Sequence, residues 1–344
     1  MSIREVAKLA GVSMSTVSRV VNDHPSIAVE TAHHVREAMA QLRFTPTIRR
    51  PSKIHVNHST ARETAIAFLV FGESGMQVAP TFQKLLRGVS DEAARMNLSL
   101  VFSFVGEGDE LPPSIAAGQI KGLLLHGKRP PTALQARLRH LPTVWLMANR
   151  ERSQWGDQVM PNNPVIGELA ARYLRSRGHK HLACLKADND GWSLRFRAWA
   201  FAQVSSELGT TACVLQAEEK VSTDLWEPRN LDETAESLVN QLLACQPRPT
   251  GIFVLEDRLL PIIHTALHAR GLRTGPQGDI ELVSCNNERP HHAFALGQVA
   301  SVDLRAELIG LQGVKQLIWR MQNADRPERT TLLIEPVLVE TASN

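Results

Sequence analysis

Apolar residues recur at spacings of three and four along the first 22 residues, which is the periodicity of one helix face. The first apolar stripe consists of Ile3, Val6, Ala7 and Ala10, and the second of Val17, Val20 and Val21. Between the stripes, Gly11 can take the left-handed conformation that ends a helix. Ser13 can then cap the next helix through its hydroxyl group. The pattern predicts two short helices joined by a tight turn, which is a helix-turn-helix.

The second predicted helix carries polar side chains on the faces that its apolar stripe leaves open. In a helix-turn-helix this helix enters the major groove of DNA. Arg can bridge guanine there, Asn can bridge adenine, and Ser can bind a base or a phosphate. We therefore expect DNA contacts from Ser13, Met14, Ser15, Thr16, Ser18, Arg19 and Asn22. An ordinary helical hairpin is the alternative that the spacing alone leaves open.

A third helix is predicted after a turn that contains His24 and Pro25. Its apolar face consists of Ala32, Val35, Met39 and Leu42, and Phe44 is expected to close the core. A domain of three helices in about 45 residues has a small core and limited stability. We place this predicted domain at residues 1–46.

Residues 47–63 differ in composition and are interpreted as a linker. No acidic residue occurs from Gln41 to Arg62. Residues 1–63 contain nine Lys or Arg against five Asp or Glu, a net charge of +4, whereas the remaining 29 basic and 30 acidic residues give −1. Such a local excess predicts phosphate contacts, for which we single out Arg49, Arg50 and Lys53. A solvated basic linker is the alternative.

From residue 64 onward, short apolar runs alternate with helical patterns. Eight strands are predicted in two sets of four, 65–71, 98–105, 122–125 and 143–147, then 181–185, 212–216, 251–255 and 281–285. The helices predicted between them are 82–96, 164–177, 195–208, 232–244 and 259–270. This alternation predicts parallel sheets with helices on both faces, in two similar lobes within residues 64–344. A closing helix at 304–321 and a final strand at 332–339 are expected to cross back between the lobes.

Ligands of such sheets bind beyond the carboxyl ends of the strands, so the cleft between the lobes is the expected site. Asp257 and Asn286 follow predicted strands, and Arg197 lies near the start of a predicted helix. The guanidinium group of an arginine presents five hydrogen-bond donors in a fixed fork, which suits it to ligand binding. The alternative is that Arg197 is an ordinary arginine on the solvent-exposed face of its helix, with no role in ligand binding. Pro80, Phe82 and Trp145 are candidates for an apolar floor. Plain core packing is the alternative for these three, and it is favoured for Trp145.

Residues 6–22, which read VAKLAGVSMSTVSRVVN, resemble the DNA-binding headpiece of the LacI/GalR family of bacterial transcription regulators. Further landmarks of the family's core are similar at Pro80-Thr81-Phe82, Gly88, Glu92-Ala93-Ala94, 121–125, 171–179, and Arg197 four residues before Phe201. The resemblance spans about residues 3–340. It implies an α/β protein with a three-helix headpiece and a two-lobed core like that of periplasmic sugar-binding proteins. It also implies a cytoplasmic repressor that binds double-stranded operator DNA as a homodimer, under control of a sugar-like effector.

The resemblance implies effector contacts at Pro80, Phe82, Met147, Ser193, Arg197, Glu256, Asp257 and Asn286. The sequence departs from the family pattern at Met147 and Asn286, where relatives carry carboxylates that bind sugar hydroxyls through charge-assisted hydrogen bonds. Pro51 lies where the family's hinge helix runs, and a proline inside a helix costs about 3 kcal/mol. A non-sugar effector, no effector, or a cytosolic ligand-binding protein are therefore the alternatives.

Other classes of protein are not supported by the composition. The chain has no apolar run near the roughly 18 residues that a membrane span needs, and no secretory signal is recognised. The four cysteines lack metal-binding spacing and are expected to be reduced and buried. The pairs His33-His34 and His291-His292 lack zinc-site spacing. No catalytic set stands out, so we expect neither a metal, a cofactor nor enzyme activity.

Overall fold

The computed structural model describes residues 3–21, 29–42, 64–72, 79–106, 108, 110–147, 155–187, 192–217, 231–295 and 299–340. Contacts divide the chain into two compact units, Met1–Ala61 and Arg62–Asn344. The predicted linker at 47–63 lies outside the described residues, and so do Phe44 and Pro51. The predicted domain boundaries at 46 and 63 therefore stay predictions.

The first unit contains helices α1 (Ile3–Leu9), α2 (Met14–Val21) and α3 (Val29–Gln41). Gly11 separates α1 from α2 with a φ of 65°, the left-handed conformation expected of it. The Ser13 hydroxyl accepts a hydrogen bond from the Thr16 N–H at 3.1 Å, which confirms the predicted cap of α2. The core that joins the helices contains Val6, Ala7, Val17, Val20, Val35 and Ala38, with Ala32, Met39 and Leu42 packed against it.

Lobe one of the second unit is built on one parallel sheet. Its strands are β1 (Ala65–Phe71), β2 (Ser99–Val105), β3 (Ile120–Gly127), β4 (Thr143–Leu146), β5 (Asp157–Pro161) and β11 (Thr331–Ile334). They are ordered β11-β5-β4-β3-β1-β2. Helices α4 (Pro80–Arg95) and α11 (Ala306–Gln322) pack on one face, and α5 (Pro113–Ala116) and α6 (Thr132–Leu138) on the other. Apolar cores on both faces explain why its central strands are almost wholly hydrophobic.

Lobe two repeats this plan. Its strands are β6 (His181–Lys186), β7 (Thr211–Gln216), β8 (Gly251–Val254), β9 (Glu281–Cys285), β10 (Ala300–Asp303) and β12 (Val337–Val339), in the order β12-β10-β9-β8-β6-β7. All neighbouring pairs are parallel except β10 and β12. Helices α7 (Asn163–Ser176) and α8 (Trp192–Glu207) pack on one face, and α9 (Leu231–Ala244) and α10 (Leu260–His268) on the other.

The prediction of four strands in each set is wrong, because each sheet contains six strands among the described residues. Strand β5 begins with the charged Asp157 and ends at Pro161, and β10 has only four residues, so neither shows a clear strand pattern. The predicted final strand at 332–339 divides at Glu335-Pro336 into β11 of lobe one and β12 of lobe two. The predicted strand at 143–147 ends at Leu146, because Met147 leaves the extended conformation with a φ of 54°.

The chain passes between the lobes at three described segments, β5 to α7, β10 to α11, and β11 to β12. The last segment confirms the predicted return between lobes. With parallel strands in both sheets, the polar segments that follow the strands lie at the carboxyl edges of the sheets, where ligands of this class of fold bind.

Candidate DNA-binding helix and effector cleft

Helix α2 is the candidate DNA-binding element of the first unit. Ser13 and Met14 are exposed, the latter by 46%, and Thr16 is half-buried. The Ser13 hydroxyl lies 2.8 Å from the Thr16 hydroxyl, so these two groups also serve the cap. Ser15, Ser18 and Arg19 occupy positions within α2. Of the other predicted DNA contacts, Asn22, Arg49, Arg50 and Lys53 lie outside the described residues.

Strained backbone marks the strand ends of the second unit. Met147 follows β4 with a φ of 54°, and Asn286 and Asn287 follow β9 with φ values of 107° and 52°. Such a conformation is costly for Met, whereas Asn adopts it more readily, and backbone strain concentrates at functional sites. Met147 packs against the apolar cores of both lobes. The Asn286 Oδ1 atom is buried and has no hydrogen-bond partner among the described residues. An unsatisfied buried acceptor of this kind is rare and favours a binding role.

Arg197 is held inside lobe two. Its side chain is 5% exposed, Nε donates to Asn163 Oδ1 at 3.0 Å, and Nη1 donates to the Leu255 carbonyl at 3.2 Å. These bonds join the first residue of α7 to the carboxyl end of β8. A ligand that reached Arg197 would meet a guanidinium whose orientation is already fixed.

Asp257 is completely buried at the start of a 3₁₀ turn after β8. Its Oδ2 atom accepts the Glu288 N–H at 2.5 Å and lies 3.0 Å from His292 Nε2, and Ser301 Oγ lies 3.5 Å from Oδ1. Asp257 thus organises the loop after β9. The carboxylate is already supplied with partners from the protein itself.

Asp257 and Arg197 both lie near the Cys285 thiol. Burial raises the pKa of Cys285 to about 12, and Arg197 lowers this pKa whereas Asp257 raises it. Both charges therefore act on a thiol at the carboxyl end of β9, but each binds different protein groups.

Glu288 connects the two lobes. Its Oε1 atom accepts the Thr81 N–H at 3.1 Å, and the Thr81 hydroxyl donates to the same oxygen. Thr81 lies in the first turn of α4 in lobe one, where the helix dipole favours a negative charge. Lys84 of the same helix donates to the Asn287 carbonyl at 2.9 Å and lies 3.9 Å from Asp303. The loop after β9 is therefore held to α4 across the lobes.

The lobe-one side of these contacts is aromatic. Phe82 is buried in the core, with ring centroids 6.2 Å from Phe68, 5.8 Å from Phe104 and 5.7 Å from His126. Phe82, a predicted residue of the cleft floor, therefore belongs mainly to the core of lobe one. Trp145 is fully buried and donates to the Trp155 carbonyl at 2.9 Å, which confirms the preferred core interpretation.

The remaining predicted effector residues have more ordinary surroundings. Pro80 begins α4 and Ser193 lies in the first turn of α8, both half-buried. The Glu256 carboxylate is 3.2 Å from Arg258 Nη2.

Sequence reasoning missed four residues of this region: Thr81, Asn163, Glu288 and His292. Thr81 stands inside the motif Pro80-Thr81-Phe82, and Glu288 lies two residues after Asn286. Proximity in sequence to predicted site residues was therefore the one weak signal for these two. The sequence offers His292 only a metal-binding interpretation, whereas in the structure its Nε2 atom lies 3.0 Å from Asp257 Oδ2. Within the described part of the chain, no three His, Cys, Asp or Glu residues group as a metal site.

Comparison with known proteins agrees with this architecture. The sequence model named "Bacterial regulatory proteins, lacI family" matches residues 2–47, and the one named "Periplasmic binding protein-like domain" matches residues 171–343, half of the chain. The HTH-type transcriptional repressor PurR of Erwinia tasmaniensis is 29% identical over 99% of this chain and 96% of its own length. PurR of Pectobacterium carotovorum subsp. carotovorum is 27% identical with the same coverage.

Solved structures share the fold. The transcriptional regulator CelR–cellobiose complex has a TM-score of 0.64 at 21% identity and covers 100% of both chains. The lac repressor dimer bound to operator and the anti-inducer ONPF has a TM-score of 0.62 at 18% identity, covering 99% of this chain and 98% of that chain.

A helix-turn-helix unit and a two-lobed α/β core of this kind define a DNA-binding transcription regulator. The chain belongs to the LacI family of bacterial regulatory proteins. Members of this family regulate transcription and are not enzymes, so the protein is a regulator rather than an enzyme. None of the described helices is long and apolar enough to cross a membrane.

Proposed function

We propose that the protein is a cytoplasmic repressor that binds a two-fold symmetric operator as a homodimer and responds to a small effector in the cleft between its lobes. The observation that carries the proposal is the set of contacts from Glu288 and Lys84 across the lobes, beside the strained residues at the strand ends. A ligand there would change how the lobes are held. The matching relatives are named repressors, which supports the sign of regulation.

Operator contacts are proposed for α2 and the basic linker, within a headpiece at 1–46, a linker at 47–63 and a core at 64–344. Arg19 is proposed to read guanine, together with Ser13, Met14, Ser15, Thr16, Ser18 and Asn22. Arg49, Arg50 and Lys53 are proposed to bind phosphates. Base contacts set specificity and phosphate contacts set position, so the two groups are separable by experiment.

Replacing Arg19 with Ala is expected to lower specific affinity by about 1–3 kcal/mol and to change non-specific affinity much less. The affinity of the full chain is measured on an operator selected from random duplexes and on scrambled DNA. As a comparison, changing Arg49, Arg50 and Lys53 together to Gln should weaken binding on both DNAs and reduce the salt slope by about one unit per lost contact. Equal losses on both DNAs for Arg19→Ala would contradict base reading.

The effector is proposed to be a small polar molecule, a sugar or sugar derivative, that supplies a donor to the Asn286 Oδ1 atom. Pro80, Ser193, Arg197 and Glu256 are proposed as further contacts, with Met147 and Phe82 on the apolar side. Asp257 is proposed to act by holding the loop after β9.

A non-sugar effector is the second candidate, because Met147 presents an apolar side chain that packs against both lobes, where a sugar pocket of the family would have a carboxylate. Such a side chain would favour a ligand with an apolar face.

A thermal-shift screen of the full chain against sugars, sugar phosphates and nucleobases tests this choice. A ligand that binds only the folded protein at 100 times its Kd adds about 2.7 kcal/mol of stability and raises the Tm. Each ligand that raises the Tm is then tested for its effect on operator affinity. If no compound changes both quantities, the proposed effector class is wrong, whereas operator binding is tested independently by the Arg19 experiment.

A further inference from the structure

Two cysteine side chains meet at the outer edge of lobe two, away from the strand ends that form the cleft. Cys213 lies on β7, the edge strand of its sheet, and Cys245 follows the last residue of α9. Their Sγ atoms are 3.8 Å apart, and both residues are half-buried. The other two cysteines, Cys184 and Cys285, are fully buried.

The geometry around the pair favours a covalent bond. A disulfide needs the sulfur atoms to approach to about 2.05 Å with unstrained Cβ positions. The two thiols are already in contact, so closure requires a shift of less than about 2 Å, within the reach of side-chain rotation. The Cys213 thiol lies 3.7 Å from the Leu182 carbonyl, and the Cys245 thiol lies 3.3 Å from the Gln241 carbonyl. These weak hydrogen bonds place both sulfur atoms without tying them to strong partners.

We propose that Cys213 and Cys245 form a modification site, a dithiol that closes reversibly to an intramolecular disulfide with low-molecular-weight disulfides such as glutathione disulfide. The first thiolate attacks one sulfur of glutathione disulfide, which forms a mixed disulfide and releases one glutathione thiolate. The second cysteine attacks the protein sulfur of the mixed disulfide and releases the second glutathione. The protein thus loses two protons and two electrons, and one glutathione disulfide becomes two glutathione molecules.

Burial and the adjacent Cys245 sulfur raise the pKa of Cys213 to about 12, so its thiol stays protonated at neutral pH. Since the thiolate is the reacting form, closure through Cys213 is expected to be slow. The closed bond would fix the edge strand β7 to the end of α9.

The test incubates the full chain with glutathione disulfide, blocks remaining thiols, and identifies linked peptides by mass spectrometry. We expect a Cys213–Cys245 crosslink with the loss of two hydrogen atoms, reversed by dithiothreitol. Cys213→Ser and Cys245→Ser should each leave a protein that carries one glutathione on the remaining cysteine. Cys184→Ser is the matched control and should crosslink like the wild type.

The wild-type peptide map decides the proposal even if a serine variant folds poorly. Stable glutathione adducts on wild-type Cys213 or Cys245 without a crosslink would overturn it, as would a crosslink that involves Cys184 or Cys285. Complete absence of reaction, with the protein folded and thiols reactive after unfolding, would overturn it too. Phenylarsine oxide gives a second readout, because it bridges two adjacent thiols and should bind the wild type but neither serine variant.

Discussion

The two lobes share a plan but differ in the chemistry of their strand ends. In lobe one, aromatic and apolar side chains such as Phe82, Phe104 and Met147 dominate the region beside α4. In lobe two, Arg197 and Asp257 are buried at the equivalent edge and bind fixed partners. Each lobe also holds one fully buried aspartate, Asp157 in lobe one and Asp257 in lobe two, but at different places. From this difference we propose that lobe two supplies the polar recognition of a ligand and lobe one an apolar wall.

The buried aspartates offer the largest test of this contrast. In lobe one, Asp157 at the start of β5 binds Arg320 at 2.6 Å, Gln316 at 2.7 Å and the Thr330 N–H at 2.9 Å. In lobe two, Asp257 stands after β8. Replacing either with Ala leaves a buried positive or donor group without its partner, so each variant should lose about 3–5 kcal/mol of unfolding free energy in urea.

Of these two variants, Asp257→Ala alone should also reduce the effect of the ligand on operator binding, because Asp257 rather than Asp157 lies beside the proposed effector site. Asp257→Asn is the milder variant, since its oxygen can still accept the Glu288 N–H. Equal losses of ligand response in the Asp157→Ala and Asp257→Ala proteins would show that the response follows stability alone.

Glycine contacts between helices give the second comparison. A Cβ atom on Gly88 would overlap the Glu307 backbone in lobe one, and one on Gly167 would overlap the Arg197 backbone in lobe two. Gly88→Ala and Gly167→Ala should each cost about 1–3 kcal/mol of stability through overpacking. Gly167→Ala should in addition weaken ligand binding, because it displaces Arg197. Calorimetry measures ligand affinity and urea unfolding measures stability on the same samples, so the two effects are separated. If Gly167→Ala binds the ligand as tightly as the wild type, Arg197 is not a ligand contact.

The contact between lobes is tested by Glu288→Gln. This change keeps the shape but removes the charge that faces the first turn of α4. Hydrogen bonds to a charged group are worth about 1.5–3 kcal/mol, so ligand affinity should change by about tenfold or more. Glu92→Gln is the control. Glu92 is buried like Glu288, but it lies in α4 and pairs with Arg95 of the same helix, so this ion pair lies within lobe one and does not join the lobes. A similar change of affinity in both variants would exclude a specific role for the contact.

The smallest expected effect concerns Asn286→Asp. The Asn286 Oδ1 atom has no hydrogen-bond partner in the described part of the chain, so a carboxylate there could bind paired hydroxyl groups of a sugar. Affinity for polyhydroxylated ligands should rise by about tenfold, as measured by calorimetry on the full chain. Met147→Asp is expected to lose stability instead, because Met147 packs against both apolar cores. If Met147→Asp raised the affinity for polyhydroxylated ligands and Asn286→Asp did not, Met147 rather than Asn286 would be the position that contacts the ligand's hydroxyl groups.

Local patterns predict much of this fold. The Gly11 turn, the Ser13 cap and the apolar face of α3 depend on neighbours within a few residues, and the structure confirms each. The central strands are recognisable because strands buried on both faces must be almost wholly apolar. Strands β5 and β10 were not predicted because both are short and carry polar residues. The partners of such residues, for example Arg320 for Asp157, are far along the chain.

The candidate site divides in the same way. Sequence position alone brings Arg197, Asp257 and Asn286 to the carboxyl edge of one sheet, because parallel strands with known ends fix that edge. It cannot show that Asp257 binds the Glu288 N–H, or that Glu288 reaches Thr81 over 207 positions. Nor can spacing predict the contact of Cys213 with Cys245 over 32 positions.

By itself, the sequence determined the class of the protein, its helix-turn-helix, and the alternation that yields two lobes, since helix and strand periodicity are local properties of the chain. Tertiary structure decided which lobe is polar, which carboxylate is occupied by protein partners, and which residues hold the lobes together. Those outcomes depend on burial and on contacts between distant segments, and the free energy of a buried charge is set by the few atoms that surround it.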